Sequence, residues 1–294
     1  MVKILHYLVT FGLQRYLLPK TQIESDCPTC SPFASKIEVG SCGVLLGSPE
    51  HRVRRAIASY CNAGQWEVAK ISFGEAGARV LEQEARILQE LHPLAAGVPG
   101  MLGLHRGDDV MMLRMPYLTG RPIPRGAFEA ALDLLNQWVT DQAAKSITEF
   151  PEWPSIESAL LEHESSDPVI EKLLKVKLRP VICHGDFARW NLLRQENGKL
   201  IVLDWEWGHQ NGMPGIDLAH YFLQDARLVE RLSPQEAIRK TCSLLESSEC
   251  RRYLQKTGWS GDPLLPIIAS LAYKQGAGHQ DNAEVLKAAV AACL

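Results

Sequence analysis

Residues 181–193 read VICHGDFARWNLL and set His184, Asp186 and Asn191 between two apolar stretches. Polar side chains beside a core cost free energy unless they are paired or put to use. Asp186 is followed five residues later by the Asn191 amide, and a second carboxylate, Asp204, closes the apolar run LIVL. These are hard oxygen donors of the kind Mg²⁺ takes. Asp186 can orient a hydroxyl while Asn191 and Asp204 hold the ion, and the chemistry that needs both is phosphoryl transfer. A carboxylate with an ordinary pKa of about 4 is a feeble base for an alcohol. That is tolerable where the transition state is loose and positioning outweighs early proton removal. The competing reading is a polar loop with an incidental asparagine and a capping aspartate.

The His-x-Asp-x-x-x-x-Asn spacing is that of the protein-kinase catalytic loop, which works with a lysine on the nucleotide phosphates and an acid that holds it. Lys70, in the strand-like WEVAKIS, is placed for the first role, and Glu84, fourteen residues on, for the second. Glu82 competes but lies on a different helix face. The plain alternatives are an exposed strand lysine and a solvated helix face.

Several elements must position these residues. GVLL, RVRRAIASYC and WEVAKIS are short β-branched and apolar runs separated by GSPEH and NAGQ, the pattern of an antiparallel meander. ARVLEQEARILQELH then switches to helical period and ends at His92-Pro93. VMMLRMPYL reads as a strand. FEAALDLLNQWVTDQAAK reads as one long amphipathic helix with Phe128, Leu132, Leu135 and Val139 as its stripe. PVICH and KLIVLD read as strands around the loop. DLAHYFLQDARLVERL, SPQEAIRKTCSLLE and DNAEVLKAAVAACL read as helices, the last two with the same capping-box start.

The chain has 294 residues, 46% hydrophobic and 22% charged, with a formal net charge of −3. That is ample material for a buried core and no basic patch for polyanion binding, so nucleic acid is not an expected partner. The eight cysteines are scattered. Only Cys27 and Cys30 have metal-ligand spacing, and no second pair completes a zinc site. With no signal-peptide pattern, reduced thiols and a cytoplasmic location are expected. The apolar start, MVKILHYLVTFGLQRYLLPK, is broken by Lys3, His6, Gln14 and Arg15 and is too short to span a bilayer. It reads as a docking helix.

The chain resembles the aminoglycoside phosphotransferase and choline kinase superfamily of small-molecule kinases over roughly residues 36–225. HGDFARWNLL is similar to that family's HGD-x-x-x-x-N loop, VLDWEWG to its metal-binding IDWE segment, GIDLAHYF to the following helix, and LRMPYLTG to its hinge. The resemblance implies an α+β, protein-kinase-like two-lobe fold. Residues 1–35 would be a helical extension, 36–117 a small antiparallel sheet with one helix covering the nucleotide, and 118–294 a larger, mainly helical part.

It also implies ATP and Mg²⁺, with Asp186, His184 and Asn191 catalytic and Asn191 and Asp204 on the metal. Lys70, Glu84, Ser48 in the phosphate-covering turn LGSPEHR, and Met115 and Leu118 around the hinge Pro116 would serve the nucleotide. The acceptor would be a hydroxyl of a sugar, amino-alcohol or aminoglycoside-like molecule. Seven acidic residues and no Lys or Arg between Glu149 and Glu171 are either an anionic wall for a cationic acceptor or a solvated helix face. Trp190, Trp205 and Trp207 either stack on substrate or pack beneath the loop.

Two other readings stand beside this one. A pseudokinase or interaction module would have the same fold, although every residue the reaction needs is present. A protein kinase is disfavoured by Gly185 in place of Arg and by the 12 residues from Asn191 to Asp204, too few for a long activation segment.

Overall fold

The computed structural model describes residues 42–46, 55–163, 165–278 and 282–294. Ser48, the LGSPEHR turn, residues 1–35 and Cys27 and Cys30 lie outside the described residues. The chain forms two compact units, one of Met1–Ile123 with Leu193–Glu206, the other of Pro124–Leu192 with Trp207–Leu294.

The first unit is built on a five-stranded antiparallel sheet of β1 (Cys42–Leu46), β2 (Arg55–Asn62), β3 (Gln65–Phe73), β4 (Gly103–Arg106) and β5 (Val110–Pro116), in the order β1-β2-β3-β5-β4. Helix α1 (Gly74–Leu91) follows β3 directly. The β3 register pairs Lys70 with Ile57 on one side and Leu113 on the other. Alternation sends Ala69 and Ile71 to one face, where they pack with Ala56, Ala58, Tyr60 and Met112. It sends Lys70 to the opposite face, covered by the buried stripe Leu81, Glu84, Ala85 and Leu88 of α1. Three short strands, Arg121–Pro122, Leu192–Arg194 and Leu200–Val202, make a second small sheet.

The Ala69 face also carries a charged network. Arg114 spans Glu67 with Nε at 2.9 Å and Nη2 at 2.8 Å, and the Tyr60 hydroxyl donates to Glu67 at 2.8 Å. Burial pushes the Glu67 carboxyl up, but Asn62, Arg114 and Tyr60 outweigh it and the net shift is downward. Such a depressed acid stabilises the fold above its unfolded pKa, and that contribution is lost as pH falls through the lower folded value. Arg114→Met is therefore expected to cost about 1–3 kcal/mol near neutrality. Urea denaturation should show the penalty shrinking below about pH 4; an undiminished penalty there would assign it to packing instead.

The second unit is mainly helical: α2 (Glu129–Gln137), α3 (Trp153–Leu161), α4 (Asp167–Leu174), α5 (Ile216–Gln224), α6 (Pro234–Leu245), α7 (Ser248–Thr257), α8 (Leu264–Gly276) and α9 (Ala283–Cys293). The capping box at Ser233 and Glu236 is present. Two helical expectations need correction. Helix α2 stops at Gln137, because Trp138 is buried and the β-branched pair Val139-Thr140 turns extended, bridging Val181 and bonding the Pro180 carbonyl at 3.1 Å. The run after α5 widens into a π-helical turn at Asp225–Val229. The expected capping box at the start of α9 involves Asp281, which lies outside the described residues, and Asn282 Oδ1 accepts from Arg227 at 2.8 Å. No helix of the described residues is long and apolar enough to cross a membrane.

Candidate active site

The loop 184–191 leaves the buried strand Val181–Cys183, which pairs antiparallel with His209–Gly212. Asp217, at the start of α5 and itself buried, anchors it: its carboxylate accepts the His184 N–H at 2.7 Å and the Gly185 N–H at 2.9 Å. Gly185 sits at φ +77°, and a Cβ there would come within 2.7 Å of the Trp207 Cβ and 2.8 Å of its carbonyl. Only glycine satisfies both the torsion and the space. His184 is fully buried, and its Nδ1 accepts the Asp186 N–H at 3.2 Å. Arg189 ties the far side of the loop to Asp225, 3.0 Å away. Asp217→Ala, which orphans two buried donors, is expected to cost about 2–6 kcal/mol by chemical denaturation. A loss under about 1 kcal/mol would show that the loop finds other acceptors.

The Asp186 carboxylate is gripped from several sides. His220 Nε2 donates to Oδ1 at 3.0 Å, Lys274 Nζ donates to the same oxygen at 3.1 Å, and Asn191 Nδ2 donates to Oδ2 at 3.2 Å. Burial pushes this carboxyl up, but the His220 hydrogen bond and the Lys274 charge prevail and hold it far below the usual carboxylate range. The group is an ionised acceptor with a fixed orientation. Asn191 Nδ2 also donates to the Asp186 backbone carbonyl at 2.9 Å, so the amide nitrogen is committed and its carbonyl oxygen is the atom available as a ligand.

In the first unit, Lys70 Nζ lies 2.5 Å from Glu84 Oε1 and 2.7 Å from Asp204 Oδ1. Burial would lower the Lys70 pKa, but the charges of Asp204 and Glu84 raise it well above the ordinary value. Glu84 is only 2% exposed and also accepts the Trp205 N–H at 3.3 Å, whereas Glu82 pairs with the exposed Arg106. Asp204 adopts φ +69°, a left-handed conformation that aspartate tolerates better than most residues, and its side chain is 41% exposed. Glu206 pairs with Arg55 at 2.6 Å. Three carboxylates thus face two cations, an excess of one negative charge suited to a hard metal ion.

A protein-family model described as the phosphotransferase enzyme family matches residues 62–240. The chain belongs to this family. The match takes in every charged group of both clusters except Arg55 and Lys274. No curated protein matches the sequence of this phosphotransferase significantly. Among solved structures, choline kinase LicA from Streptococcus pneumoniae is similar with a TM-score of 0.52 at 17% identity, over 90% of this chain and 97% of its own. A thermostable mutant of aminoglycoside phosphotransferase APH(4)-Ia, in ternary complex with AMP-PNP and hygromycin B, gives a TM-score of 0.53 at 15% identity, over 90% and 95%. The fold of the phosphotransferase is thus α+β and protein-kinase-like.

The remaining residues singled out from sequence fall as follows. Met115 is buried in β5 opposite Val68, and Leu118 is half-buried just beyond the strand. Trp205 is fully buried and donates to the Val202 carbonyl at 2.8 Å, so it packs beneath the chain and does not stack on a ligand. Trp207 is 37% exposed, with Lys274 Nζ 5.9 Å from its ring centroid. Of the acidic run, Glu149 caps the Ser146 turn and Glu152 is buried against His209. His220 and Lys274, which hold Asp186, escaped sequence reasoning. A lysine in the apolar helix LLPIIASLAYKQG and a histidine in IDLAHYFLQ are the signal that was there to find.

Proposed function

We propose that this phosphotransferase moves the γ-phosphate of ATP to a hydroxyl of a small molecule in a Mg²⁺-dependent reaction. The observation that carries the reading is the Asp186 carboxylate, kept ionised and fixed in direction by His220, Lys274 and Asn191. Such a group aligns an alcohol for in-line attack; it is too weak a base to remove the proton early. His184 and Asp217 act by positioning the loop. Lys70, kept protonated and held by Glu84, is the cation for the α- and β-phosphates.

Asn191, through its carbonyl oxygen, and Asp204 are the proposed Mg²⁺ ligands, and their all-oxygen donor set fits that ion. When bound, the ion neutralises charge on the phosphates. At the hinge, Pro116 has no N–H and the Tyr117 N–H is taken by the Trp66 carbonyl at 3.0 Å. Met115 and Leu118 are therefore the residues proposed to hold the adenine.

The acceptor class is a sugar or polyol hydroxyl, or an amino-alcohol or aminoglycoside, as in the similar kinases. The acidic run does not single out a cationic acceptor, because Glu149 and Glu152 serve the fold. A cytoplasmic location is part of the proposal.

The test is a screen of hydroxyl-bearing metabolites and antibiotics for stimulated ADP release in Mg-ATP. One or more acceptors should raise turnover, and Asp186→Ala should remove both the stimulated rate and any slow ATP hydrolysis. The alternative, a nucleotide-binding pseudokinase, predicts nucleotide binding with no hydrolysis that depends on Asp186.

A further inference from the structure

Away from the Asp186 network, Glu152, Cys183 and His209 converge, each offering a ligand atom within 4.8 Å of the others. Glu152 is 1% exposed. Its Oε1 accepts the Met213 N–H at 2.8 Å and His209 Nε2 at 2.8 Å, but among the described residues no donor reaches its buried Oε2. A His–Glu ion pair accounts for Oε1 and leaves Oε2 unexplained. Burying a carboxylate oxygen without a partner is costly.

The histidine is oriented from behind. His209 Nδ1 lies 3.1 Å from the Trp207 carbonyl, which can only accept, so Nδ1 carries a proton and Nε2 faces the cluster. A ring N–H donated to a backbone carbonyl is the usual outer support of a metal-bound imidazole. Space is kept by Gly212. A Cβ at that position would lie 2.4 Å from the Cys183 Cβ, 2.9 Å from Glu152 Oε1 and 3.0 Å from His209 Nε2.

We propose that Glu152 Oε2, Cys183 Sγ and His209 Nε2 form a binding site for a divalent cation of the Zn²⁺ class. One thiolate, one imidazole and one carboxylate suit a borderline-soft ion with water as fourth ligand. On binding, Cys183 gives up its thiol proton and His209 gives up the Nε2 proton where it carries one; both protons leave to solvent, and nothing is oxidised or reduced. Glu152 Oε1 keeps the Met213 N–H. The ion ties the strand Val181–Cys183 to its partner His209–Gly212 immediately before His184, so occupancy stiffens the root of the loop. His209, 24% exposed, gives the route of entry.

The site is tested by titrating the full chain, carrying Cys27→Ser and Cys30→Ser to remove the other cysteine pair, with Cd²⁺. The readout is ultraviolet thiolate-to-metal charge-transfer absorption, which does not depend on catalysis. One equivalent should saturate the band, Zn²⁺ should displace it, and Cys183→Ser should remove it. His209→Asn and Glu152→Gln should each weaken binding by about 10-fold or more. His209→Asn alters a partly exposed side chain and answers the question even if Cys183→Ser fails to fold. No saturable band, a band that survives Cys183→Ser, or unchanged affinity in His209→Asn overturns the proposal.

Discussion

Asp186→Asn is expected to lower kcat with the best acceptor by about 10²- to 10⁴-fold, while the nucleotide-induced rise in Tm, measured against the variant's own baseline, stays intact. The substitution is nearly isosteric but removes the charge that His220 and Lys274 converge on. The baseline Tm should fall too, because Lys274 is 4% exposed and would be left without its anion. Lys274→Met, assayed alongside, removes the ammonium donor and leaves the carboxylate. It should cost less, about 10- to 100-fold in kcat, with KM for ATP little changed. If Asp186→Asn turned over at the parental rate, the orienting role would be lost and another group would have to align the acceptor.

The same geometry sets a pH expectation. A carboxyl held far below its usual range stays ionised wherever the enzyme is folded, so Asp186 should produce no acid limb in kcat above about pH 4. Its contribution to stability follows the depressed-acid rule: present above the unfolded pKa of about 4 and lost as pH falls further towards the folded value. Asp186→Asn should therefore destabilise the protein at neutrality and progressively less below about pH 4. An acid limb in kcat near pH 6 that disappears in this variant would contradict the assignment.

What could be read from the chain and what could not divide along physical lines. The loop His184–Asn191 is legible because its three polar groups act through local geometry: Asn191 reaches back to Asp186 over five residues, whatever the rest of the fold does. Lys70 and Glu84 are legible because strand alternation and helical period each fix a face, and α1 follows β3 without a loop. Lys274 and Asp186 are 88 residues apart, and only the packing of α8 decides that the ammonium meets Oδ1. No period encodes such a meeting. The same holds for Glu152, which as one acid in a run of seven looks like a solvated helix face until burial shows otherwise. Helix α2 was overestimated because amphipathic spacing continued through Val139, where a tertiary bridge to Val181 outweighed helical propensity. Short strands such as Arg121–Pro122 carry too few residues for any alternation to register.

Asp204→Asn should abolish the Mg²⁺-dependent part of the ATP-induced rise in Tm and lower kcat/KM by about 10³-fold. Asparagine is the informative replacement because it tolerates the left-handed φ of +69° nearly as well as aspartate, so backbone strain does not confuse the result. Lys70 loses one of its two carboxylates but keeps Glu84 at 2.5 Å, so no buried charge is stranded. The excess negative charge of Glu84, Asp204 and Glu206 over Lys70 and Arg55 disappears, and with it the local attraction for a divalent cation. At a ligand concentration of about 100 times Kd, binding stabilises the native state by about 2.7 kcal/mol, large enough to resolve the two components by titrating ATP with Mg²⁺ and with EDTA. The two curves should separate for the parent and coincide for Asp204→Asn. Curves that stay separated by the parental amount would place the ion on other ligands, and Glu206, whose carboxyl is pushed up by burial and by Asp204, would be the next to replace.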